Sequence, residues 1–217
     1  MKLIGMLDSP YVRRVAISLQ LLGVPFEHRS LSVFRSFDEF RRINPVVKAP
    51  TLICDDGETL MDSTLILDYA EALAGGKSLM PAGLAERRDA LRCIGLALAA
   101  CEKSVQIIYE RNLRPAEKQH EPWAERVHGQ LHAALAELEA QIRRHPFEAR
   151  SETLGQAGVS AAVAWHFVHT MLPQLVDAEA YRSLADFSAQ AEVLAEFKAA
   201  PHGDTTMAPF KPRGSIS

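Results

Sequence analysis

Three short stretches carry residue types that can do chemistry together: Ser9-Pro10, Lys48-Ala49-Pro50-Thr51 and Asp62-Ser63. Ser9 precedes a proline, which is favoured at the first position of a helix, so it reads as the N-cap of the helix that follows. A capping hydroxyl accepts from a backbone N–H and keeps its single proton to point outward. A thiol placed before it would gain a charge-assisted hydrogen bond when ionised and would face the positive end of a helix dipole. Such a bond contributes roughly 1.5–3 kcal/mol, or about one to two pKa units, which brings a thiol of pKa about 8.5 close to neutrality. Pro50 opens a short β-branched run, a position where a missing N–H is tolerated. A cis Ala49–Pro50 bond would turn the chain sharply and leave the N–H and C=O of Ala49 open to the backbone of an extended ligand. Asp62-Ser63 reads as a helix start, whose bare amides and hydroxyls suit a carboxylate. Together the stretches describe a site for a short peptide with an acidic group. Each also has a plainer role, since proline commonly ends a loop and Asp-Ser commonly caps a helix.

The elements that must position these residues are legible from periodicity. Residues 2–7 read as a buried strand broken at Asp8-Ser9-Pro10. Val12, Val15, Ala16, Leu19 and Leu22 then recur at helical spacing until Gly23-Val24-Pro25. A second strand over 26–31 and a short helix over 37–43 follow, the latter ended by Asn44-Pro45. Asp55-Asp56-Gly57-Glu58 turns a hairpin between 51–54 and 59–61, and an apolar helix runs over 65–73. The order β-α-β-α-β-β-α predicts a parallel pair, an added antiparallel hairpin, and helices on both faces. Pro81-Ala82-Gly83 reads as a linker. Helices are predicted over about 84–113, 122–145 and 154–172, with two shorter ones ending near Ala200; prolines 115, 122, 146, 173 and 201 fall at the breaks. The expected fold class is therefore α/β followed by all-α, with domains over 1–80 and 84–217. Leu131, Leu135, Leu138 and Ile142 form one apolar stripe, and Thr153-Leu154-Gly155-Gln156 fits a capping box that starts the third long helix.

Composition narrows the function classes. The formal charge is −3, with 9 basic and 10 acidic side chains in residues 1–80 and 15 and 17 in the rest, so neither half offers a basic surface to nucleic acid. No run of about 18 apolar residues is present, which argues against a membrane span. The three cysteines, Cys54, Cys93 and Cys101, form no CxxC pair, and the first residues lack a signal-peptide pattern. A reducing, cytoplasmic setting is expected, without a disulfide framework or a zinc cluster.

Ser9-Pro10-Tyr11-Val12-Arg13-Arg14, Asn44-Pro45-Val46-Val47-Lys48-Ala49-Pro50-Thr51-Leu52 and Asp62-Ser63-Thr64-Leu65-Ile66 resemble, in order and spacing, the signature segments of soluble glutathione S-transferases. The likeness is strongest to the bacterial serine-containing members. The resemblance implies a thioredoxin-like first domain with a cis Pro50. It implies that Ala49 holds the cysteinyl part of glutathione by its backbone, that Asp62 faces the γ-glutamyl amino group and Ser63 its carboxylate, and that Lys48 reaches the glycyl carboxylate. Many relatives carry glutamate where Asp62 stands. Ser9 is the expected donor to the thiolate, with Tyr11 the alternative. The implied activity is conjugation of the glutathione thiolate to an electrophilic apolar substrate, a detoxification chemistry, by a cytoplasmic homodimer. A glutathione-dependent peroxidase or isomerase, or a non-catalytic binding protein on the same fold, are the rival readings. Glutathione is the co-substrate, and no metal is implied.

By the same resemblance Tyr11, together with Tyr109 and Arg111 of the helical half, is assigned to the second substrate. Glu125, His128 and His132 share a helix face at metal-ligand spacing, yet they read better as a solvated face because no fourth ligand is apparent. Trp165, His166 and His169 read as core or interface. The stretch from His202 is polar and aperiodic, and Phe210 within it either folds back over the substrate pocket or belongs to a loose tail.

Overall fold

Four three-residue strands, β1 (Lys2–Ile4), β2 (Glu27–Arg29), β3 (Thr51–Ile53) and β4 (Thr59–Met61), make one mixed sheet in the order β2-β1-β3-β4. β1 runs parallel to β2, with Lys2 opposite Glu27, and antiparallel to β3, with Ile4 opposite Thr51. β3 and β4 form the hairpin. This computed structural model describes residues 1–212.

The predicted connectivity holds, but the strands are shorter than periodicity suggests. β1 stops at Ile4 because Gly5 takes φ +138° and turns the chain. A Cβ at Gly5 would sit 2.6 Å from Val12 Cγ2 and 3.1 Å from the Cβ of Ala49. The turn out of β1 therefore lets helix α1 (Pro10–Leu22) and the Ala49 loop approach each other. α1 is buried along nearly its whole length and packs against α3 (Ser63–Leu73). The short helix α2 (Phe37–Ile43) inserts Phe40 into a small cluster with Ile4 and Leu31.

The chain divides into two compact units. Met80–Glu192 forms one, and Met1–Leu79 with the chain from Val193 onward forms the other. The assignment of everything after residue 84 to a helical domain is thus corrected for the described residues past Val193. The reason is a set of bonds that no periodicity reveals. The fully buried Arg13 donates from Nε to the Ala200 carbonyl at 2.8 Å, and its guanidinium lies 5.6 Å over the ring of Phe197. These partners belong to α8 (Ala195–Ala199) and its C-terminal cap. Gln20 Nε2 donates to the Glu196 carbonyl at 3.1 Å. Further on, Met207 N–H donates to His28 Nδ1 at 3.1 Å, and Phe210 forms an antiparallel bridge with Phe26. Phe210 therefore sits at the Met1 end of the sheet, opposite the end from which β1 leads to Ser9. Residues 213–217 of the predicted tail lie outside the described residues.

The other unit contains α4 (Leu84–Leu113), α5 (Glu121–Arg144), α6 (Gln156–Met171) and α7 (Arg182–Glu192). α4 packs on both α5 and α6, and the expected α5 stripe of Leu131, Leu135, Leu138 and Ile142 is buried. The capping box is not formed. α6 begins at Gln156 with Gly155 as its cap, while Thr153 Oγ1 donates to Glu148 Oε2 at 3.2 Å and Gln156 Nε2 to Ser160 Oγ at 3.4 Å. A turn from Arg150, which accepts from both Thr153 N–H and Leu154 N–H, displaces the helix start past Thr153.

Candidate functional site

Ser9 caps α1 as its sequence context predicts. Its backbone is extended, and Oγ accepts from the Val12 N–H at 3.4 Å. That contact uses a lone pair and leaves the hydroxyl proton for another acceptor. Ser9 and Tyr11 are both half-buried at the start of the helix. Charges gather around them. Asp8 has its carboxyl pushed above the usual range by burial, against the opposing pull of His202, the Ser9 amide and Arg35. Arg35 in turn pairs with Asp204 at 3.4 Å.

The Lys48–Pro50 loop is held from behind by a polar chain. The buried Asn44 accepts from Val46 N–H at 3.0 Å and donates to Thr51 Oγ1 at 2.8 Å, and Thr51 donates onward to the Lys48 carbonyl at 2.7 Å. The Ala49–Pro50 bond is cis. The sheet ladder starts at Thr51, and among the described residues neither backbone polar group of Ala49 has a hydrogen-bond partner. An extended peptide finds one donor and one acceptor there.

Asp62 caps α3, its Oδ1 accepting from Thr64 N–H at 2.9 Å and its Oδ2 lying 3.2 Å from Lys48 Nζ. Burial would raise its pKa, but the Thr64 amide, Lys48 and Arg14 together hold it below the usual carboxylate value. Ser63 is buried, and its Oγ accepts from Arg14 Nη1 at 3.0 Å. Among the described residues, the non-glycine positions at positive φ are Val47 at 53° and Asp62 at 72°, one beside each half of this constellation. Side chains held there cost of order 1–3 kcal/mol each, and such positions cluster where a ligand is clamped.

The structure thus brings Lys48, Ala49, Pro50, Asp62 and Ser63 onto one connected framework, with Ser9 about 7.5 Å of helical rise before Arg14 on α1. Tyr109 and Arg111 are exposed near the C-terminal end of α4 in the helical unit. Arg111, but not Tyr109, lines a cavity of about 70 Å³ within that unit, together with Gln106, Glu110, Trp123 and His128. The Glu125, His128 and His132 face is engaged otherwise: His132 Nδ1 lies 2.9 Å from the Tyr181 hydroxyl. No group of three or more metal-ligating side chains suited to a metal ion occurs among the described residues. Trp165 is buried, packing against His169 and Tyr181 at centroid distances of 5.6 and 5.8 Å. No helix among the described residues is long and apolar enough to cross a membrane.

Sequence reasoning missed the supports. Arg14 stood inside a quoted motif with no role, and Asn44 read only as a helix terminator. An arginine in the second turn of an apolar helix, and an asparagine before proline, are the signals that the sequence itself carries.

Comparisons with known proteins fit this geometry. Residues 3–78 match the family model for the glutathione S-transferase N-terminal domain. An uncharacterized GST-like protein, YibF of Escherichia coli, is 26% identical over 165 residues, 76% of this chain and 81% of that one. Glutathione transferase GST 23 of Zea mays is 32% identical over 109 residues, which is 50% of this chain and 49% of the plant protein. A glutathione transferase family member from Pseudomonas fluorescens, solved with bound glutathione, superposes with a TM-score of 0.77 at 28% identity, covering 92% of this chain and 97% of that one.

Proposed function

Taking as premise that the chain belongs to the soluble glutathione S-transferase family, with residues 3–78 its N-terminal domain, we propose that it binds glutathione and conjugates its thiolate to an electrophilic apolar substrate. The observation that carries this reading is the pair of unpartnered backbone groups at Ala49, set beside the Asp62-Ser63 helix start. The cysteinyl backbone pairs with Ala49. The γ-glutamyl amino group meets Asp62 and its carboxylate Ser63, while Lys48 turns from Asp62 to the glycyl carboxylate. The Pseudomonas fluorescens relative solved with glutathione supports that ligand.

Ser9 donates its free proton to the sulfur and so favours the ionised thiol. The thiolate then forms a bond to an electrophilic carbon, and either a leaving group departs or a proton is taken up. Positioning and a raised thiolate fraction supply most of the acceleration. Tyr11 is the alternative donor, and Tyr109 and Arg111 of the helical unit contact the second substrate. The protein acts in the cytoplasm as a homodimer.

Titration calorimetry with glutathione tests the binding step, and absence of heat would sink it. Ser9→Ala is expected to raise the apparent pKa of bound glutathione by about one to two units, read from the pH–rate profile. An unchanged profile moves the role to Tyr11. A screen with electrophiles, peroxides and isomerisable substrates separates conjugation from the peroxidase and isomerase readings, which use the same thiolate.

A further inference from the structure

Arg14 is 3% exposed, yet its guanidinium spans from α1 to the start of α3. Nη1 carries two hydrogens, and they are divided between two hydroxyls: Ser63 Oγ at 3.0 Å and Thr64 Oγ1 at 3.3 Å. Resting on the glutathione reading above, we infer that Arg14 is a positioning residue that makes Ser63 a dedicated donor to the γ-glutamyl carboxylate and selects ligands that carry it.

A serine hydroxyl has one proton and two lone pairs. Left alone, it rotates to suit any neighbour. With a guanidinium N–H directed into one lone pair, the proton cannot point toward Arg14 and is offered on another side. Donation from a cation also polarises the hydroxyl and strengthens the bond it makes in turn. The charge itself is permanent, since a guanidinium is not deprotonated in proteins. It lies close enough to act on Asp62, whose carboxylate it helps keep ionised. A ligand carboxylate at Ser63 therefore meets an oriented proton with a buried positive charge behind it. Lysine reproduces this only in part, because its donors rotate on a flexible stem and are not held in the fixed plane of a guanidinium.

Calorimetric titration of the full-length wild type and Arg14→Met with two ligands tests the inference. The first is glutathione. The second is its 4-aminobutyryl analogue, which lacks only the α-carboxylate of the γ-glutamyl residue. Arg14→Met is expected to weaken glutathione roughly 10- to 100-fold and to leave the affinity of the analogue unchanged. Equal losses for both ligands reduce Arg14 to a structural support and overturn the inference, as does no loss for either. A wild type that binds no glutathione overturns the underlying reading too. Should thermal unfolding show Arg14→Met to be unfolded, Arg14→Lys carries the same comparison. Its expected loss is smaller but still confined to glutathione, and any other pattern counts against the inference.

Discussion

The two units of this chain are held together in different ways. In the unit formed by Met1–Leu79 and the chain after Val193, buried polar side chains bracket the backbone: Arg13 ties α8 to α1, His28 and Asn44 brace turns, and Arg14 joins two helix starts. In Met80–Glu192 the work is done by apolar faces, such as the α5 stripe and the nearly fully buried α6. Brackets depend on particular residue types at particular positions, because a missing partner leaves a buried polar group unsatisfied. Apolar faces tolerate exchange among residues of similar volume. The residues that match the N-terminal-domain model, 3–78, lie within the bracketed unit.

Two glycines put that contrast under the greatest load. Gly5→Ala places a methyl 2.6 Å from a β-branched Val12 side chain at φ +138°, and is expected to cost roughly 2–3 kcal/mol in urea unfolding. Gly158→Ala in α6 also meets an atom at 2.6 Å, the Cδ1 end of Leu154, with Phe187 Cζ at 3.3 Å, but it does so at an ordinary helical φ. Its cost should stay within about 1 kcal/mol, helped by the gain in helix propensity. Equal costs would break the comparison.

A smaller effect concerns pH. His28 donates from Nε2 to the Gly5 carbonyl at 2.8 Å and accepts from Met207 N–H at Nδ1, so the ring is held neutral. Burial lowers its pKa and outweighs the Gly5 carbonyl, which favours the charged form. The unfolded chain, with histidine near 6.5, therefore takes up the proton first as pH falls. Stability present above about pH 6.5 is lost as pH drops through that value toward the folded pKa. His28→Gln should flatten the slope of unfolding free energy between about pH 7 and 5.5, leaving the part due to His128, which burial also lowers. A slope that His28→Gln leaves intact would assign the sensitivity to the helical unit. The smallest effect is expected at Thr153. Because it caps nothing, Thr153→Ala should change stability by no more than about 0.5 kcal/mol. A loss of about 1 kcal/mol or more would restore the capping box.

Much of the site was legible because its signals are local. Ser9 before Pro10 and Asp62 before an apolar helix announce caps within four residues, and both caps form as read. The cis Ala49–Pro50 bond agrees with the resemblance that implied it. Thr153 shows the limit of such reading, since a box of the right residues is defeated by a turn from Arg150. Strand lengths failed at Gly5 for a similar reason, as the turn serves a contact with residue 49 that lies far off in sequence.

Local sequence suffices for the order of elements, the helix starts at Ser9 and Asp62, and the residue types offered to a ligand, because each depends on neighbours a few positions away. That the described residues past Val193 return to the first unit, that Asn44 braces the loop, and that Arg14 stands behind Ser63 emerges only in the folded chain. Those are pairings of buried polar groups across 7 to 187 positions, and a chain reveals them only once burial has removed water as the competing partner.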